Sequence, residues 1–206
     1  MKKILLASFG AVFMASMAHA ALLTQCPALG ADTGCAVLIT VTAVNASGAA
    51  TAFTAVDATS PAQGPYDGIE DTLFGIQNSS GGTLKSISLS ATGSPNDLFG
   101  FDGDGVCNGT FGACPAGVVD PNLYGGPAVL FSGITAGGVS GIVNFGCTTS
   151  SLASCVGIAN GTSAWFSLEE HILASQVISG VPEPGSVVLL STGLAGLLFA
   201  ARRRRA

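Results

Sequence analysis

The 206 residues are enough for one ordinary domain with targeting segments, and too few for two enzyme domains. Only 9% of residues are charged and the mean hydropathy is +0.58, which excludes disorder driven by high charge and low hydrophobicity. Six of the seven basic residues lie at the extreme ends, so positions 21–181 hold eleven acidic residues and Lys85 alone, a net of −10. Nucleic-acid binding needs clustered Lys and Arg against phosphate and is excluded on that ground.

Lys2 and Lys3 precede an uncharged apolar run over 4–17, and Ala18-His19-Ala20 follows with the small-x-small pattern read by signal peptidase. Charged, apolar and small segments in that order predict a secretory signal peptide, a helix over 1–20, with Ala18 and Ala20 at the cleavage site. An exported domain then begins at Ala21.

Positions 21–180 read as all-β. The first strand pattern is Val37, Ile39 and Val41 alternating with Leu38, Thr40 and Thr42, which marks a half-buried strand. A β-like run at 51–56 follows. Thr72, Phe74 and Ile76 alternate again, then Asn78-Ser79-Ser80-Gly81-Gly82 reads as a turn into Ile87 and Leu89, so a hairpin is expected. Runs at 98–101, 129–134, 139–145 and 162–168 complete eight short strands, the last introduced by Asn160-Gly161. Such strands with Gly-rich turns predict an antiparallel β-sandwich. Ser167-Leu168-Glu169-Glu170 has capping-box spacing and opens either a short helix or a continued strand.

The six cysteines fall into close pairs, Cys26/Cys35, Cys107/Cys114 and Cys147/Cys155. In an exported chain an even count reads as disulfides, and neighbour pairing makes three loop staples, although six cysteines allow fifteen connectivities. Thiolate zinc sites fit poorly, because no spacing is Cys-x-x-Cys and the domain has one histidine, His171.

Asp102-Gly103-Asp104-Gly105 presents two carboxylates from one tight turn, suited to Ca²⁺, with Asn96, Asp97, Asn108 and Asp120 near enough in sequence to add oxygens. The same run also reads as ordinary Asp-Gly turn chemistry, and no Glu completes an EF-hand loop. Asp67, Glu70 and Asp71 form a second acidic group, either another ligand set or, more simply, a solvated strand entrance. No catalytic residue is identified. His171 has no Gly-x-Ser-x-Gly partner motif, and the carboxylates of a glycosidase are not accompanied by many aromatic platforms beyond Trp165, Tyr66 and Tyr124.

At the C-terminus, Val181-Pro182-Glu183-Pro184-Gly185-Ser186 leads into fifteen uncharged residues, 187–201, and then Arg202 to Arg205. Fifteen helical residues reach roughly 22 Å, and flanking arginines that snorkel extend the span towards the roughly 30 Å of a hydrocarbon core. A transmembrane helix with its arginines on the cytoplasmic side is expected. The order Pro-Glu-Pro, apolar helix, Arg cluster resembles the PEP-CTERM sorting signal of Gram-negative bacteria, over 181–206. That resemblance implies recognition of Pro182, Glu183 and Pro184 by an exosortase, transient inner-membrane anchoring, and then a place at the cell surface or in the extracellular matrix, with exopolysaccharide and biofilm as the setting. The runs 67–78, 101–105 and 165–169 resemble, more loosely, stretches in the mature regions of such proteins, which implies a shared secreted β-domain and no activity.

The sequence thus predicts a signal peptide over 1–20, a disulfide-stapled sandwich over 21–180 and a sorting signal over 181–206. The expected function is that of a non-enzymatic surface or matrix protein, with Ca²⁺ as the one candidate cofactor, at Asp102 and Asp104. Its expected partners are signal peptidase, exosortase, the membrane before processing, and extracellular polysaccharide. The alternatives are a secreted carbohydrate-active enzyme and a periplasmic ligand-binding module.

Overall fold

The computed structural model describes residues 23–59, 61–92, 97–111, 114 and 120–179. Among these residues eight strands form two four-stranded sheets: β1 (Val37–Val44), β2 (Ala50–Asp57), β3 (Thr72–Asn78), β4 (Ser86–Ala91), β5 (Val129–Ser132), β6 (Ser140–Phe145), β7 (Ser163–Leu168) and β8 (Val177–Ser179). The order is β2-β1-β3-β7 in one sheet and β5-β6-β4-β8 in the other. Period-2 alternation explains how the two face each other. Val37, Ile39 and Val41 of β1, Phe74 and Ile76 of β3, and Phe166 and Leu168 of β7 share one core with Ile87, Leu89, Phe131, Val143 and Phe145 of the second sheet.

All-β architecture and the disulfide staples agree with the sequence, and four strand-level differences have physical causes. Strands β3 and β4 are not a hairpin: β3 pairs with β1 and β7, whereas β4 pairs with β6 and β8. The connection crosses between sheets at Asn78, a fully buried side chain whose amide donates to the carbonyls of Gly82 (2.8 Å) and Ile158 (3.0 Å) while its Oδ1 accepts from the Ser80 amide and hydroxyl. A side chain that satisfies the turn from within replaces the ladder bonds a hairpin would supply. Strands β1 and β3 run parallel, alone among the described pairings, because the connection through 58–71 returns to the starting end of the sheet.

Residues 98–101 form a loop rather than a strand. Phe99 hydrogen-bonds through its amide to Gly138, and its ring packs edge-on to Phe101 and Phe131, so the apolar run plugs the core between the sheets. The eighth strand is instead β8, which pairs with β4 from Leu89 to Ala91. No helix opens at Ser167. Strand β7 continues to Leu168, Glu170 adopts a left-handed backbone (φ 69°), and a short 3-10 turn follows at Ala174–Gln176.

Strand β3 is buried on both faces. Leu73 belongs to a second apolar cluster on the outer side of its sheet, with Cys26, Cys35, Tyr66 and Val106, against which Phe111 and Trp165 pack. Each cysteine is joined to its neighbour: Cys26–Cys35, Cys107–Cys114 and Cys147–Cys155. The first disulfide presses so closely on β3 that a Cβ at Gly75 would lie 2.4 Å from Cys35 Sγ. The first two staples therefore hold loops that cover this sheet, and each of the three is worth about 2–3 kcal/mol by the loop-closure argument.

Among the described residues no helix is long and apolar enough to cross a membrane. The expected signal helix with Ala18 and Ala20, the expected span over 187–201, and the motif residues Pro182, Glu183 and Pro184 lie outside the described residues.

Candidate metal centre

The loop leading into β3 is built around Asp67. Its Oδ1 accepts from the amides of Ile69, Glu70 and Asp71, each at 3.1 Å, and the Tyr66 amide donates to the Asp71 carbonyl. This tight turn places Asp71 wholly inside the protein, at 0% exposure. The Tyr66 hydroxyl donates to Asp71 Oδ2 at 2.6 Å, while Asp71 Oδ1 and Asp67 Oδ2 are buried atoms without a hydrogen-bond partner.

The loop carrying Asp102 and Asp104 arrives from the second sheet. Phe101 stacks on Tyr124 at 4.4 Å, and the Tyr124 hydroxyl lies 2.7 Å from Asp104 Oδ1 and 3.1 Å from Asp102 Oδ1. A phenol has one proton to give, so it satisfies only one of those carboxylates at a time. The Asp102 amide donates to Oε2 of Glu169, the residue just past the end of β7 and 6% exposed. Strand β7 is fixed there because Ser167 donates through both its amide and its hydroxyl to the Tyr124 carbonyl.

Two carboxylate groups result. Asp67, Asp71 and Asp104 bring one oxygen each within 4.8 Å of one another, and so do Glu70, Asp102 and Glu169. The sequence pointed to Asp102 and Asp104; the structure sends each to a different group and adds partners from two other segments. Of Asp67, Glu70 and Asp71, the solvated-entrance reading fails at Asp71, which is fully enclosed, while Asp67 and Glu70 stay partly exposed; the ligand-set reading fits the grouping. Glu169, Tyr66 and Tyr124 carry no ligand signal in the sequence, since Glu169 stands alone beside Glu170, the glutamate of the capping-box spacing, and the tyrosines read as aromatics. The runs 67–78, 101–105 and 165–169 all converge here. Asp120 lies elsewhere: its carboxylate is fully buried and accepts from the Asn122 and Phe131 amides. Asn108 is occupied with the Asp104 carbonyl and the Thr110 amide, Asp97 lines a separate groove, and Asn96 falls outside the described residues.

Electrostatics follow from crowding without counter-charge. Burial, aided by the charges of Asp104, Glu169 and Asp67, pushes the Asp71 carboxyl up to about 7. Burial raises Glu169 and Asp104 as well, while hydrogen bonding to Asp104 holds Asp102 down. Both tyrosines are pushed up, first by burial and then by the carboxylates they bond. Lys85, the domain's single basic residue, sits beside Gly48 and Gly157 at the Asn78 end of β3, about 20 Å along the strand from Asp71.

Asp32, in the first disulfide loop, is a separate buried carboxylate. Its Oδ1 accepts from the Gly64 amide, its Oδ2 has no partner, and burial raises it from 3.8 to about 6. A folded-state value above the unfolded one means that the folded domain retains a proton the unfolded chain loses. The resulting stabilisation is complete below pH 3.8 and is lost as the pH rises through about 6. In chelator, Asp32→Asn is expected to raise stability at pH 7.5 by about 1–3 kcal/mol and to flatten its decline from pH 4.5. Urea melts at the two pH values check this, and equal slopes for parent and variant would contradict it.

A groove of ≈ 480 Å³ opens near the aromatic plug, lined by Asp97, Phe99, Phe101, Asn122, Ile134 and Thr135 among others; none of the six clustered carboxylates lines it. His171 is exposed. Residues 180–205 match the family model of the PEP-CTERM protein-sorting motif, which contains Pro182, Glu183 and Pro184. That motif is an exosortase-substrate signal, so the match supports an exported, cell-surface-directed protein sorted by exosortase. No curated protein and no solved structure matches the chain.

Proposed function

We propose that the protein is a non-catalytic structural or adhesive component of the cell surface or biofilm matrix. It is delivered through a signal peptide and transient inner-membrane anchoring, and associates with exopolysaccharide. The observation that carries this reading is the sorting motif over 180–205. The −10 charge of the domain supports a cation-dependent association, because an acidic protein repels an acidic polymer unless divalent ions lie between them. The non-enzymatic reading is supported by carboxylates packed against one another and two tyrosines rather than across a cleft. A carbohydrate-active enzyme would bring them to an open groove, and a ligand-binding module would need an apolar pocket.

Replacing Pro182, Glu183 and Pro184 with alanine tests the delivery route. The variant is expected to stay membrane-held and unprocessed in cell fractions, whereas the parent is processed and leaves the inner membrane. Normal release of the variant would sink the sorting claim.

A further inference from the structure

We propose that the converging carboxylates of Asp67, Asp71 and Asp104 hold one divalent cation of the Ca²⁺ class. Geometry is the first support. Ca²⁺ binds oxygens at about 2.3–2.6 Å, so two ligands on one ion lie at most about 4.6–5.2 Å apart. The oxygens of this group fall within 4.8 Å of one another.

A second, independent observation points to an absent positive charge. Asp71 has no exposed surface, yet its Oδ1 has no donor, and Asp67 Oδ2 beside it is also buried and unpartnered. An enclosed carboxylate oxygen without a donor is strongly unfavourable unless a cation or proton meets it. The domain's one basic residue, Lys85, is at the opposite end of β3, so among the described residues no side-chain cation is at hand. Tyr124 donates to Asp104 at 2.7 Å, and Asp102 Oδ1 accepts from the Asp104 amide at 3.2 Å, so the oxygens that lack a donor are those of Asp71 and Asp67. A cation among Asp67, Asp71 and Asp104 meets both of them. The donors are oxygens only, with no imidazole or thiolate among them, which selects hard ions such as Ca²⁺ over zinc or copper.

The ion sits against fully buried Asp71 and ties the β3 entry loop to the 99–105 loop. The inference stands on the folded domain alone. Its consequence, a calcium-set surface for polysaccharide, rests on the matrix reading, and protein–ion binding is measured apart from polymer retention so that either can fail separately.

The test uses the full chain with its disulfides intact, stripped with EGTA and titrated with CaCl2 by calorimetry and equilibrium dialysis. One ion per chain is expected, with a dissociation constant of about 0.1–1 mM as in extracellular modules. Saturation should raise the melting temperature by about 5–10 °C. Asp71→Asn should lose the ion and, in EGTA, melt no lower than the parent, since it removes a buried charge. Asp97→Asn, outside the group, should still bind it. No uptake at millimolar CaCl2, or an ion retained by Asp71→Asn with the parent's affinity, would each overturn the proposal.

Discussion

Phe166→Ala is expected to lower folding stability by about 3–5 kcal/mol, the range for truncating a buried phenylalanine. Phe166 is fully buried on β7 and faces its cross-strand partner Phe74, with ring centroids 5.7 Å apart and stacked. From the second sheet, Phe131 approaches edge-on at 6.1 Å and Phe145 approaches tilted at 6.3 Å. One ring therefore joins both inner faces, and its loss opens a cavity that neighbours locked in two different sheets fill poorly. Against a typical total of about 5–15 kcal/mol, this brings the domain close to unfolding. Urea titration with the disulfides intact measures the change; a loss under about 1 kcal/mol would mean the sheets do not pack through this ring.

Asn78→Leu is expected to cost about 2–4 kcal/mol, through polar groups left buried rather than through volume. Leucine fills similar space but leaves the Ser80 amide without its acceptor, the Ile158 carbonyl with the Leu84 amide alone, and the Gly82 carbonyl and Ser80 hydroxyl proton with only their long 3.4 Å bond to each other. The cost should appear as faster hydrogen exchange around 79–84 and 158–162, where Asn78 also holds backbone bonds to Thr162 and Gly161. Unchanged protection there would show that the corner is held by the chain on either side and not by this side chain.

These two residues also mark where sequence stops being informative. The alternation of Val37, Ile39 and Val41, or of Phe74 and Ile76, is a local property of a strand with one face on a core, so it is visible in the order of residues. Which strand lies beside it is set by distant segments. Asn78 looks like any turn residue until its amide is found bonded to Ile158, eighty positions away. The Leu98-Phe99 run looks like a strand because apolar residues mark burial, and burial here belongs to a loop that plugs the sandwich. Strand β8 has three residues, too few to show any period.

The candidate metal centre was half legible for the same reason. Asp102 and Asp104 advertise themselves through one turn, but their partners come from about thirty residues upstream and sixty-five downstream, and only the packing of β3 against β7 brings these together. One signal for the convergence was present in the sequence. A domain with eleven acidic residues and one basic residue, Lys85, has at most one lysine or arginine with which to neutralise the acidic groups it buries.

The measurement that bears most directly on the proposed role is the intact mass of the protein in fractions of its own host. The account predicts a mass that has lost both the signal segment and the tail carrying Arg202 to Arg205, found at the cell surface or in the matrix. Full-length tail mass confined to the inner membrane would contradict it and make the protein a simple membrane-anchored one.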